Sequence, residues 1–164
     1  MMILTFKSSF AMHLKKMNKI IFFFLIISSQ LYSQNQTMEK INYNDLNSKQ
    51  KENYNYHKVA AALAEYGYDS MRLNNDWQGA DFIAVKNDEM LKVQLKGRFT
   101  IDKKYIDKDI HIAFIEDGVI KMYKHDEAVD IVSENVSNSS SWADKGLYHW
   151  GKTPVSFNDI ITIL

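Results

Sequence analysis

The sequence predicts an α/β fold in which a mixed sheet is flanked by helices. Three observations carry this expectation: apolar residues at helical spacing near residue 50, a succession of short alternating runs between residues 70 and 123, and polar connections of hairpin length between those runs. Helix, strands and helix in that order belong to an α/β layer rather than to a bundle or a sandwich. With 164 residues and 46% hydrophobic content, the chain has material for one core and too little for two.

The helix comes first. Asn47 followed three positions later by Gln50 makes a capping box and Gly67 supplies the stop, so a helix is expected over 48–66 with Tyr56, Val59, Ala60 and Leu63 on its inner face. Residues 70–73 read as a short strand, and 74–79, with Asp76, Trp77, Gln78 and Gly79, as a turn-rich loop. Strands over 81–86 and 90–98 flank Asn87, Asp88 and Glu89; strands over 110–115 and 119–123 flank Asp117 and Gly118. A second helix starts near His125 or Asp126 and carries Ala128, Val129, Ile131 and Val132, its first acidic residues suiting a helix N-terminus. Beyond it, 137–141 reads as a flexible loop and 142–164 as irregular chain with a short closing helix.

The first 34 residues differ from the rest. Lys15, Lys16 and Lys19 precede an eight-residue apolar run over 20–27, followed by polar residues and a small residue, Ser33, suited to cleavage. That layout is a secretory signal peptide, and the run is too short for a membrane span, which needs about 20 apolar residues. Initiation at Met38 is the alternative, and it exchanges export for the cytoplasm. Residues 35–47 then form a linker and 48–164 the domain. Without residues 1–34 the chain keeps sixteen basic against twenty acidic residues, so any contact with nucleic acid must be local. The absence of cysteine excludes disulfides, thiolate zinc sites and cysteine nucleophiles, and the five histidines form no ligand-like pair.

Chemistry concentrates on the strand over 90–98. Its side chains alternate, placing Lys92, Gln94, Lys96 and Arg98 on one face, with same-face neighbours roughly 7 Å apart. Gln94 can then reach a metal ion while Lys96 reaches the water or phosphate beside it, and Asp81 can meet them across the hairpin. A magnesium ion keeps several waters, so one carboxylate, one amide oxygen and one main-chain carbonyl suffice to hold it beside a substrate phosphate. An ordinary solvated strand face explains the same four polar residues.

An aspartate opening a strand, a hairpin, and then a hydrophobic, Gln94, hydrophobic, Lys96 pattern resembles the PD-(D/E)XK nuclease superfamily. The likeness is to branches with glutamine in place of the acidic residue, such as Mrr-type restriction enzymes, and to archaeal Holliday junction resolvases. Tyr66-Gly67-Tyr68, the run from Gly79 to Ala84 and the segment IHIAFIEDGVIKMYKHDEAV follow in matching order, so the likeness spans about 48–132. Segments LNSKQKENYN, DWQGADFIA and KVQLKGR are also similar to a group of small bacterial proteins of this type.

The resemblance implies a restriction endonuclease-like fold and a hydrolase acting on nucleic acid, DNA foremost, with Mg2+ or Mn2+. It makes Asp81 the metal-binding aspartate, Gln94 the second ligand and the Leu95 carbonyl a third, with Lys96 orienting the attacking water. Glu52 is the candidate for the additional helix glutamate, although its register is poor, and a homodimer stays open. Two departures stand out: glutamine brings no charge, and only 99–109 is available where a second core helix would stand, so that helix is expected to be shortened or absent. A non-catalytic module that keeps the fold and binds nucleic acid is the rival reading. Between Lys92 and Lys108 there are six basic residues against two acidic ones, a phosphate-sized patch in which Arg98, Lys103 and Lys104 contact backbone and Tyr105 stacks on a base.

Overall fold

Asn47 caps the first helix as its spacing predicts: its side chain accepts from the Gln50 N–H and the Gln50 side chain accepts from the Asn47 N–H, each at 2.9 Å. The helix is α1, Ser48–Glu65. The computed structural model describes residues 38–132 and 134–164, with Lys19 and Ile21. The chain divides into two compact units, Met1–Ile41 and Asn42–Leu164. Apart from Lys19 and Ile21, the expected leader and its cleavage position lie outside the described residues, among which no helix is long and apolar enough to cross a membrane. The second unit opens with a 3-10 turn, Tyr43–Asp45, and buries Leu46, inside the stretch read as linker.

After α1 the strands are β1 (Asp69–Trp77), β2 (Ala80–Lys86), β3 (Glu89–Leu95), β4 (Thr100–Asp102), β5 (Ile110–Glu116) and β6 (Val119–Lys124). Helices α2 (His125–Asp130), α3 (Glu134–Ser137) and α4 (Ser140–Lys145) follow, then β7 (Leu147–His149), a 3-10 turn over Val155–Ile160, and β8 (Thr162–Ile163). Six strands form one mixed sheet in the order β1-β2-β3-β5-β6-β8, with β3 and β5 parallel and every other pair antiparallel. This is the helix-flanked mixed α/β sheet expected from the sequence.

Alternation distributes the strands between two cores. Phe82, Ala84, Leu91, Val93 and Leu95 pack with Val59 and Leu63 of α1. Ile110, Ile112 and Phe114 of β5 and Tyr123 of β6 face the other way, onto Phe99, Ile101, Tyr105, Trp142 and Phe157. The second core is covered by the connection between β3 and β5 together with the C-terminal elements.

That connection holds no packed helix, as its length predicts. It is a ribbon: β4 pairs antiparallel with β7, Thr100 opposite His149 and Asp102 opposite Leu147. The other edge of β4 meets side chains instead of a strand. Tyr123 donates its hydroxyl to the Thr100 carbonyl and accepts from the Thr100 N–H at 3.2 Å, and His125 Nε2 accepts from the Asp102 N–H at 3.1 Å. Every main-chain group so satisfied is one the buried ribbon could not leave bare.

Three expectations change. Residues 74–77 are strand, because Gln78 (φ 55°) and Gly79 (φ 94°) form a two-residue turn that closes a β1–β2 hairpin, with a register shift between Arg72 and Trp77 absorbing the irregularity. Residues 137–141 are not a free loop: Ser137 ends one short helix and Ser140 opens the next, with the Ser139 hydroxyl accepting from the Trp142 N–H to start α4 over a buried Trp142. Residues 142–164 contribute two strands, β8 closing the sheet on β6.

Candidate active site

Asp81 sits where two strands part. The β2–β3 ladder ends at Phe82 opposite Val93, whereas β3 stays bonded to β5 through the Lys96 N–H, which donates to the Ala113 carbonyl at 2.9 Å. In the opening, the Asp81 side chain replaces the missing ladder acceptor: Oδ2 accepts from the Leu95 N–H at 2.8 Å and from Gln94 Nε2 at 2.6 Å. Gln94 Nε2 also donates to the Leu95 carbonyl at 3.1 Å. The amide nitrogen of a buried glutamine thus lies between the carboxylate and the carbonyl oxygen.

The turn before β2 fixes this arrangement through Gly79. A Cβ there would lie 2.9 Å from the Tyr105 ring and from the Ile110 side chain, so the backbone presses onto the ribbon in a way only glycine permits. Lys96 leaves the end of β3 toward the same tyrosine. Its Nζ donates to the Tyr105 hydroxyl at 2.9 Å and lies 4.9 Å from the ring centre.

The expected role of Tyr105 is overturned. It is 1% exposed, packed edge-on to His125 at 5.6 Å, and cannot stack on a base without leaving the core. The apolar alternation of Phe99, Ile101 and Tyr105 was the signal that one side of the connection faces inward. Arg98, Lys103 and Lys104 are exposed. Lys103 lies 5.2 Å over the Trp142 ring, and Lys104 lies 3.5 Å from Asp102 and 4.7 Å from the centre of the Tyr105 ring. Burial alone would lower the Lys104 ammonium's pKa, but the hydrogen bond to Tyr105 and the neighbouring Asp102 carboxylate hold it above the usual lysine value.

Glu52 comes closer to the site than its register suggested. It shares a cleft of about 280 Å³ with Lys49, Arg72, Asn74, Asn75 and Asp81. Its carboxylate is engaged by Lys49 at 2.9 Å and by Arg72, and the hydrogen bond from Lys49, opposed by partial burial and reinforced by both cations, holds its pKa below the usual carboxylate value. Arg72 also donates to Asn53 and lies 5.2 Å over the Tyr56 ring. Sequence reading missed Arg72; Glu52 and Tyr56, one turn apart on α1, are the pair it joins.

Among the described residues no three acidic or histidine side chains form a metal-binding group. The donor chemistry nonetheless fits a weakly held hard cation. The Asp81 carboxylate and the Leu95 carbonyl converge on one point, and the amide there presents oxygen instead of nitrogen after a half-turn.

His125 is fully buried and His111 partly so, and neither Nδ1 has a hydrogen-bond partner among the described residues. Burial lowers both pKa values from 6.5, only partly offset by Asp109 beside His111 and by Asp126, 3.6 Å from His125. The unfolded chain therefore binds protons that the folded one refuses, and stability present above pH 6.5 falls as pH drops below it. Urea midpoints at pH 7.5 and 5.5 should show this loss, and His125→Gln should make it shallower.

No protein-family model matches the chain, and no curated protein matches it. Among solved structures, the chain is similar to a bacterial homing endonuclease, I-Ssp6803I, with a TM-score of 0.44 and 14% identity, over 68% of this chain and 84% of that one. That likeness is too distant to carry any residue across.

Proposed function

We propose that this chain is a metal-dependent phosphodiesterase acting on nucleic acid, DNA foremost, in the manner of an endonuclease. The observation that supports it best is the convergence of Asp81, Gln94, the Leu95 carbonyl and Lys96 where β2 parts from β3. In this reading Asp81, Gln94 and the Leu95 carbonyl hold Mg2+ or Mn2+. When bound, the ion polarises the phosphodiester and makes its water more acidic. Lys96, an ammonium fixed at its tip, orients the attacking water and offsets charge building on the phosphate. Arg98 and Lys103, exposed on the connection, contact the backbone on either side.

One observation favours a second reading, a nucleic-acid-binding module without catalysis. The Gln94 amide already satisfies Asp81 and Leu95 as a cation would, so the opening is stable without one. Incubating the purified protein with linear, nicked and branched DNA separates the two. The nuclease reading expects cleavage with Mg2+, none with chelator, and a loss of about a hundredfold or more in Lys96→Ala. Salt-dependent binding without cleavage selects the module, and equal cleavage by the variant removes Lys96 from the chemistry.

A further inference from the structure

We propose that Tyr105 is the positioning residue of Lys96 and joins Lys104 to it, so that a phosphodiester at the parted strands meets two ammonium groups instead of one. This deepens the phosphodiesterase reading and rests on it. Lys96 and Lys104 come from different elements, the end of β3 and the 3-10 turn Lys103–Tyr105, yet their ammonium groups lie 4.9 and 4.7 Å from the same ring. Lys96 donates to its hydroxyl at 2.9 Å.

Two like charges gathered around one tyrosine repel each other, and an arrangement of this kind is stabilised by an anion that both can reach. Asp102, 3.5 Å from Lys104, offsets part of that charge, whereas Lys96 donates to the neutral phenol. A phosphate oxygen is the hard, singly charged acceptor that two ammoniums suit.

The tyrosine is built to hold position. Its ring is buried between the Gly79 backbone and His125, and the turn that carries it is pinned by the Lys103 N–H donating to the Gly146 carbonyl at 2.7 Å. A lysine alone at the end of a strand keeps several rotatable bonds, and a fixed acceptor at its tip removes that freedom before substrate arrives.

The test uses the full chain with Tyr105→Phe, which keeps the ring and loses only the hydroxyl, Lys104→Ala, Lys104→Arg and the double variant Tyr105→Phe/Lys104→Ala. Binding of a fluorescent duplex is followed by anisotropy in Ca2+, and cleavage in Mg2+. Tyr105→Phe should lower kcat about tenfold with KM nearly unchanged; Lys104→Ala should weaken binding several-fold, with Arg restoring most of it. The double variant should lose less than the two single losses combined, because both lysines are held against one tyrosine. Wild-type kcat in Tyr105→Phe, or fully independent losses, overturn the proposal. If the native chain binds duplex without cutting it, the phosphodiesterase reading fails by itself: non-additive weakening of binding then sustains the two-lysine site, and unchanged binding in Lys104→Ala overturns it. A chain that neither binds nor cuts overturns both.

Discussion

Asp81→Asn should abolish Mg2+-dependent cleavage, by at least about a hundredfold, while changing stability by less than about 1 kcal/mol. The two halves follow from different properties of the same oxygen. An asparagine oxygen still accepts from the Leu95 N–H and from Gln94, as Asp81 Oδ2 does at 2.8 and 2.6 Å, so the end of the ladder stays closed. What asparagine lacks is charge. With Gln94 neutral, Asp81 is the one carboxylate among the proposed metal ligands, so its replacement leaves two uncharged oxygens and an amide to hold a divalent ion. Asp81→Ala removes the acceptor as well and leaves two donors bare in a partly buried opening, which should cost about 1–3 kcal/mol. Cleavage assays in parallel with urea unfolding of both variants separate the effects. An Asp81→Asn protein that cuts normally ends the metal-site reading, and an equally destabilised pair would mean that charge, not geometry, holds the strands.

Phe99→Ala should cost about 3–5 kcal/mol, a large share of the stability of a domain of this size. Phe99 is fully buried and touches four aromatic rings, with centroids 4.6 Å from Tyr123 and Phe157, 5.2 Å from Trp150 and 6.0 Å from Phe114. No neighbour is flexible enough to collapse into the space, so both the lost transfer energy and the cavity count in full. Tyr123 bonds both main-chain groups of Thr100, the residue after Phe99, so the cavity also loosens the ribbon that carries Tyr105. Chemical denaturation gives the size of the effect. A loss below 1 kcal/mol would mean that the second core is not the tightly packed unit described.

The helix α1 and strands β2, β3, β5 and β6 are legible in the sequence because their signals are local: a capping box, two-residue periodicity, short turns. The juxtaposition of Asp81 with Gln94 is legible for the same reason, being a hairpin partnership. What was hidden depends on partners far along the chain. Tyr105 stands among lysines, and no local property says whether an aromatic in a basic run faces base or core; the ribbon partner β7 decides it. Arg72 takes its meaning from Glu52 and Asn53, about twenty residues upstream. Residues 74–77 look like loop because Asn and Asp dominate them, and only the paired positive φ angles of Gln78 and Gly79 reveal that a strand can run to the very edge of the turn.

The pairing of Thr100 with His149 places a condition on how this protein comes into being. The strands bearing Asp81, Gln94 and Lys96 can pair early in synthesis, since their contacts are short-range. The turn that fixes the lysine gains its second edge only after the chain has passed Gly146, whose carbonyl receives Lys103. Closing so long an intervening loop is a slow, entropically opposed step. The centre therefore waits on chain made about fifty residues later, and substitutions near residue 148, remote from any reacting atom in the primary structure, should behave in assays as though they struck the lysine itself.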